Sequence, residues 1–104
     1  MKEVSVDELQ ELIDNKTDFQ LLDVREISEY EQANLEGILI PLQTLPGNIE
    51  QIAKDKKVVI MCRSGQRSAN AVSYLEKQGF SNLYNLAGGI LAWKAEIDNN
   101  LDVY

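Results

Sequence analysis

The feature that most restricts the fold is a short apolar run, Val-Val-Ile-Met at residues 58–61, which has charged residues before it and Cys62 after it. The run is too short for a buried helix. Its β-branched residues are typical of a central strand in a parallel sheet that is covered on both faces. Three other short strands are predicted at residues 19–24, 38–40 and 83–86.

Helical patterns separate the predicted strands. Ser5 and Glu8 fit a capping box at the start of a first helix. Further helices are predicted over residues 28–33, 46–52, 68–78 and 90–97. Because strands and helices alternate with short connections, right-handed crossovers are expected. The predicted fold class is therefore α/β, with a small, mainly parallel β-sheet and helices on both faces.

The length and charge of the chain limit its organisation and its partners. A chain of 104 residues predicts a single domain, over residues 1–104, with one core. Ten basic and seventeen acidic residues give a net charge of −7, which argues against nucleic acid or an anionic membrane as a partner. The chain starts without an apolar leader and has no run of membrane-spanning length. We therefore expect a cytoplasmic, monomeric protein.

Two absences exclude whole classes of site. The chain has no histidine, so Ser-His-Asp and Cys-His catalytic arrangements and His-ligated metal sites are impossible. Cys62 is the single cysteine, so neither an internal disulfide nor a cysteine-cluster metal site can form. No metal and no cofactor are expected, and the lack of disulfides is typical of a reducing compartment.

The most informative segment is residues 62–68, Cys-Arg-Ser-Gly-Gln-Arg-Ser, between the central strand and the longest predicted helix. Ligands of open parallel sheets bind at the carboxyl ends of the strands, where residues 23–25 and 87–89 are also expected. A turn that wraps around the sulfur would direct its backbone N–H groups and the helix N-terminus towards it. Such a turn lowers the pKa of a thiol without a histidine, and it could equally hold an oxyanion.

The alternative is that Cys62 is an inert buried residue, which is the more common situation for a lone cysteine. Two arginines and a glycine in the next five residues argue against it. Arg63 by itself suits a solvated loop cation. Arg67 would lie in the first turn of a helix, where a cation opposes the helix dipole. An anion bound beside Arg67 would explain its position.

The chain resembles the single-domain rhodaneses over nearly its whole length. Four segments carry the resemblance in the right order: residues 21–25 with Glu29-Tyr30, residues 37–42, residues 62–68 and residues 87–93. The chain departs from the family where Ala33-Asn34-Leu35 replaces the usual Gly-His-Ile, and where Ile38 replaces a small alanine. These departures affect a supporting loop rather than the cysteine segment.

The resemblance implies that Cys62 is the nucleophile of a sulfurtransferase. Its thiolate would take a sulfane sulfur from thiosulfate or a similar small anionic donor and pass it, as a persulfide, to cyanide, a thiol or a protein acceptor. Asp23 and Arg25 are expected to support the loop as an ion pair. The residues expected to bind the substrate are those that follow the nucleophile: Arg63, Ser64, Gly65, Gln66, Arg67 and Ser68.

Two other functions remain as alternatives. A rhodanese-fold module that binds an anion or a partner without turnover generally lacks the cysteine, which this chain keeps. A phosphatase or arsenate-type enzyme of this fold resembles the tyrosine phosphatases, with five residues between cysteine and arginine, whereas only four separate Cys62 from Arg67. Because there is no second cysteine, the sulfur needs an external acceptor, and the acidic chain predicts a basic patch on a protein acceptor.

Overall fold

The computed structural model describes residues 1–103, which contain a five-stranded sheet whose neighbouring strands are all parallel. The spatial order is β1-β5-β4-β2-β3, so β4 lies at the centre. The strands are β1 (Glu3–Val4), β2 (Gln20–Asp23), β3 (Ile38–Leu39), β4 (Val58–Met61) and β5 (Leu83–Leu86). The prediction of a mainly parallel sheet around residues 58–61 is confirmed.

Helices connect the strands. They are α1 (Val6–Asp14), α2 (Ile27–Gln32), α3 (Gln66–Lys77) and α4 (Gly89–Glu96), with two 3₁₀-helices at Leu42–Gly47 and Ile49–Gln51. The predicted capping box of α1 is present, since the Ser5 hydroxyl accepts from Glu8 N at 3.1 Å and the Glu8 carboxylate accepts from Ser5 N at 2.8 Å. No helix among residues 1–103 is long and apolar enough to cross a membrane.

The helix predicted over residues 46–52 is wrong in type and extent. A 3₁₀-helix already starts at Leu42 and contains Pro46, and the second one starts at Ile49. Thr44 N donates to Pro41 O at 2.8 Å, a bond between residues three apart, so the first 3₁₀ turn begins directly after Pro41, its N-cap.

The side chains of β4 divide the core into two apolar clusters, one on each face of the sheet. Val58 and Ile60 lie in the cluster that also contains Val72 and Leu75 of α3. Val59 and Met61 lie in the other cluster, with residues of α1 and α4. All four residues of β4 are fully buried, as expected for a central parallel strand with helices on both faces.

The edge strand β1 does not appear in the prediction, because two residues carry no periodicity that a sequence can show. It forms because Asn85 N donates to Lys2 O and Ala87 N donates to Val4 O, both at 2.9 Å. Since all strands are parallel, their carboxyl ends meet at one edge of the sheet. The segments after β2, β4 and β5 lie at that edge.

Candidate active site

The segment after β4, residues 62–68, forms a tight loop that we call the Cys62 loop. Gly65 is the N-cap of α3 and has φ 108° and ψ −11°, a left-handed conformation that glycine adopts without a steric penalty. This conformation reverses the chain soon after Cys62 and starts α3 at Gln66, two residues earlier than predicted. It also brings Ser68 back beside the sulfur.

Two donors from the Cys62 loop surround the sulfur. Gly65 N donates to Cys62 Sγ at 3.0 Å, and Ser68 Oγ lies 3.3 Å from Sγ. The Ser68 hydroxyl also lies 3.2 Å from the Gly65 carbonyl oxygen, to which it can donate. Cys62 is 1% exposed and Ser68 is fully buried. The sulfur therefore lies at the floor of the loop, in a polar setting.

The pKa of Cys62 reflects a competition between burial and hydrogen bonding. Burial raises the pKa of the thiol, because it removes water from the thiolate. Hydrogen bonds from the Ser68 hydroxyl and from the amides of Ser68, Gly65 and Ser64 together outweigh burial and lower the pKa of Cys62 below its ordinary value. The loop thus favours the thiolate, which is the nucleophilic form, without a histidine.

The turn after β5 and the start of α4 donate hydrogen bonds to the backbone of the Cys62 loop. Ile90 N donates to Cys62 O at 2.9 Å and Leu91 N donates to Arg63 O at 3.1 Å. A Cβ on Gly89 would lie 2.5 Å from Cys62 O, so only glycine permits this approach. Gly88 and Gly89 have φ values of 77° and 61°, in the left-handed region that glycine adopts without a steric penalty.

Arg67 forms a two-point ion pair with Glu29 of α2. Its Nη1 and Nη2 lie 2.7 and 2.8 Å from the two carboxylate oxygens. The hydrogen bond from Arg67 outweighs partial burial and lowers the pKa of Glu29 to about 2. The same hydrogen bond raises the pKa of Arg67. Much of the charge that Arg67 brings to the Cys62 loop is thus offset by Glu29.

Asp23 and Arg25 form a buried ion pair at the end of β2, as expected. The guanidinium Nη2 lies 2.9 Å from the Asp23 carboxylate, and the two side chains are 2% and 0% exposed. Arg25 Nη2 also donates to Ala33 O at 2.8 Å. Arg25 therefore binds the C-cap of α2, and Glu29 of the same helix contacts Arg67 of the Cys62 loop.

The departure at residues 33–35 produces an ordered turn. Asn34 Nδ2 donates to Tyr30 O at 3.0 Å, and Asn34 Oδ1 accepts from Glu36 N at 2.8 Å. Glu36 has φ 64°, a left-handed conformation that is uncommon outside glycine. Asn34 thus stabilises the turn between α2 and β3 with hydrogen bonds of its own.

The side chains of three other residues predicted to bind substrate face solvent. Arg63, Ser64 and Gln66 are exposed. Trp93 of α4 is partly buried and packs against the apolar cluster that also contains residues of α1. Among residues 1–103, no three His, Cys, Asp or Glu side chains could together hold a metal ion.

A surface groove lies away from the Cys62 loop. Its lining includes Phe19, Leu35 and Ile38 and contains no residue of the Cys62 loop.

Sequence reasoning missed two residues of the site. For Glu29, the sequence shows only its place beside Tyr30 in one of the four family segments, because its partner Arg67 lies 38 positions away. Asn85, on β5, donates through Nδ2 to Gly65 O at 3.2 Å. The sequence feature that points to Asn85 is a carboxamide side chain within the short predicted strand over residues 83–86.

The model of the rhodanese-like domain family matches residues 5–96. The chain belongs to this family. A sulfurtransferase of Allochromatium vinosum is 36% identical over 94 residues, which cover 89% of this chain and 88% of that protein. The thiosulfate sulfurtransferase GlpE of Shewanella oneidensis is 32% identical over 88% of this chain and 91% of its own length. The family and these relatives support sulfur transfer as the general activity.

Solved structures of rhodanese-like proteins have the same fold. A rhodanese-like domain protein from Staphylococcus aureus has a TM-score of 0.85 and 33% identity, with 100% of this chain and 99% of that chain covered. Similarity also extends to part of a longer protein, an NAD-dependent persulfide reductase of A. fulgidus, with a TM-score of 0.73 and 32% identity. That match covers 89% of this chain and 16% of the reductase. The rhodanese-like α/β fold is thus confirmed.

Proposed function

We propose that this protein is a sulfurtransferase that carries a sulfane sulfur as a persulfide on Cys62, from thiosulfate or a similar donor to cyanide or a thiol. The observation that carries the proposal is the position of Cys62 Sγ, 3.0 Å from Gly65 N and 3.3 Å from Ser68 Oγ. These donors favour the thiolate that such a reaction requires. Similarity to the thiosulfate sulfurtransferase GlpE of Shewanella oneidensis, which extends over 91% of that protein, adds support for thiosulfate as a donor.

In the first half-reaction, the Cys62 thiolate attacks the outer sulfur of thiosulfate. A new sulfur–sulfur bond forms to Sγ, while the bond between the outer sulfur and the sulfonate group breaks. Sulfite leaves with the electron pair of that bond, and the enzyme holds a persulfide whose terminal sulfur carries the negative charge. The total charge is unchanged, and no oxidant or reductant is consumed.

The Cys62 loop supplies positive partial charge where the negative charge develops. Amide N–H groups between Arg63 and Ser68, together with the N-terminus of α3, are assigned to stabilise the terminal sulfur. Arg63 and Arg67 are assigned to hold the anionic donor at the rim. Because these amides belong to the folded loop and the first turn of α3, they are in place before the negative charge develops.

In the second half-reaction, cyanide or a thiolate attacks the terminal sulfur. The bond between the two persulfide sulfurs breaks, and its electron pair returns to Cys62 as a thiolate. Cys62 is the only cysteine, so no internal disulfide can release the sulfur and the acceptor is external. With a net charge of −7, the chain is suited to a protein acceptor with a basic patch, in a reducing compartment such as the cytoplasm.

Two other functions have less support. A binding module without turnover has no need of a cysteine whose pKa is lowered by its own loop. A phosphatase or arsenate-type enzyme would need a loop wide enough for a tetrahedral oxyanion, whereas four residues separate Cys62 from Arg67. The tight contact between Gly65 N and Sγ favours a single sulfur atom as the bound group.

The deciding experiment is an intact mass of the reduced protein after brief incubation with thiosulfate, next to a Cys62→Ser control. We expect the gain of one sulfur atom, its loss on addition of cyanide and no gain in the control. A polysulfide is tested as a second donor. If neither donor adds sulfur while Cys62 still reacts with iodoacetamide, the proposed function is wrong and the loop only binds anions.

A further inference from the structure

Asn85 is an unusual residue for its place in the fold. It lies on β5, next to the central strand, and is 4% exposed. Its Nδ2 donates to Gly65 O at 3.2 Å, whereas its Oδ1 is buried without a hydrogen-bond partner in residues 1–103. A buried carboxamide with an unused acceptor is costly. An apolar residue at this position would avoid that cost, so the amide donor needs an explanation.

The Gly65 carbonyl oxygen receives three hydrogen bonds. They come from Asn85 Nδ2, from Ser68 Oγ at 3.2 Å and from Ala69 N at 3.0 Å. The Ser68 hydroxyl has one proton to donate. It can donate to Gly65 O while the sulfur is a thiol, or to Cys62 Sγ, 3.3 Å away, once the sulfur is a thiolate.

When Cys62 ionises, the Ser68 hydroxyl therefore donates its hydrogen bond to the thiolate instead of to the Gly65 carbonyl. Asn85 and Ala69 still donate to that carbonyl, so it is not left without partners when Ser68 turns to the sulfur. The switch of the Ser68 hydroxyl then has little cost. Without Asn85, the same switch would remove one of only two donors from the carbonyl.

Asn85 also contacts the peptide between Gly65 and Gln66, whose carbonyl accepts the first hydrogen bond of α3, from Ala69 N at 3.0 Å. Asn85 therefore adds a donor from the sheet to a carbonyl that the first turn of α3 already binds. A Cβ on Gly65 would lie 3.9 Å from Asn85 Nδ2, so the loop rests directly on this side chain.

We propose that Asn85 is a positioning residue for the nucleophile. It holds the Gly65 carbonyl so that the Ser68 hydroxyl can donate to the Cys62 thiolate and to the persulfide. The part that concerns the persulfide rests on the proposed function, whereas the part that concerns the thiolate does not.

The test is Asn85→Leu, which keeps a similar volume and removes the donor. The rate of alkylation by iodoacetamide is measured against pH. We expect the midpoint to rise by about one pH unit, which slows alkylation about tenfold well below the midpoint. Asn85→Ala, which also lacks the donor, is measured in the same way and replaces the leucine variant if that variant does not fold.

Asn82→Leu is the matched control. Asn82 precedes β5 at the opposite edge of the sheet and donates to Ala53 O at 2.9 Å and to Lys56 O at 2.6 Å. We expect this variant to have a lower Tm and an unchanged alkylation profile. If Asn85→Leu also lowers only the Tm and leaves the profile unchanged, Asn85 is merely structural and the inference is wrong.

A double-mutant cycle with Ser68→Ala tests the route of the effect. If Asn85 acts through the hydroxyl of Ser68, Asn85→Leu raises the midpoint much less in the Ser68→Ala background. An equal rise in both backgrounds overturns the inference. Failure of the wild-type protein to gain sulfur in the mass experiment counts against the proposed function alone, because alkylation does not depend on sulfur transfer.

Discussion

We expect Glu29 to limit the charge that Arg67 offers to an anionic donor, and Glu29→Gln tests this expectation directly. The two side chains meet at 2.7 and 2.8 Å and are 28% and 34% exposed. Glutamine keeps the shape and one acceptor but removes the negative charge. We therefore expect the variant to lose some stability and to bind thiosulfate more tightly.

The loss of stability follows from the pKa of Glu29, which falls from 4.5 to about 2. At about 1.4 kcal/mol for each pKa unit, the full effect is about 3.5 kcal/mol. Solvent screens a pair this exposed, so we expect a decrease of about 1 kcal/mol in the free energy of unfolding and a fall of roughly 5 °C in Tm. Because the pKa is lowered in the fold, this stabilisation is complete above pH 4.5 and is lost as the pH falls towards 2.

The assay is steady-state sulfur transfer from thiosulfate to cyanide. Thiosulfate carries two negative charges, so release of the Arg67 charge is expected to lower KM for thiosulfate roughly two- to fivefold, with little change in kcat. Glu31→Gln, on the same helix and exposed, changes the net charge equally and serves as control. If KM is unchanged or rises in Glu29→Gln, Arg67 does not face the donor and the reasoning is wrong.

Three further predictions concern stability and the thiol. The pKa of Cys62 is raised by burial but lowered more by its hydrogen bonds, so its alkylation midpoint is expected at lower pH than that of free cysteine, and a profile like that of free cysteine would contradict the role of the loop. Arg25→Ala leaves Asp23 buried without its partner and should lower the free energy of unfolding in urea by about 3–5 kcal/mol, whereas a loss under about 1 kcal/mol would show that the pair is dispensable. Gly89→Ala should destabilise the protein and slow sulfur transfer more than Gly79→Ala. Both glycines have positive φ, but a Cβ meets the backbone of the Cys62 loop only at Gly89, so equal effects in thermal melts would exclude the predicted clash.

Local features of the sequence were enough to predict most of the fold. The apolar run of β4, the glycine in the turn after it and the helix that starts there all follow short-range rules. The capping box at Ser5 is similarly local. By contrast, β1 needs β5 as a partner, and the 3₁₀-helices after Pro41 depend on a bond between residues three apart that carries no apolar pattern.

The sequence by itself determined the chemistry that is possible. With no histidine and a single cysteine, a lowered thiol pKa can come only from backbone amides, hydroxyls and nearby cations, and residues 62–68 are the one segment where these are adjacent along the chain. This part of the site was predictable because its contacts span at most six positions.

Only the tertiary structure decided how that segment is supported and how its charge is balanced. Glu29 reaches Arg67 across 38 positions, and Asn85 reaches Gly65 across 20. Both contacts arise because parallel strands bring their carboxyl ends to one edge of the sheet. Spacing along the chain cannot reveal such neighbours, since the sheet brings together segments that periodicity and local propensity treat as independent.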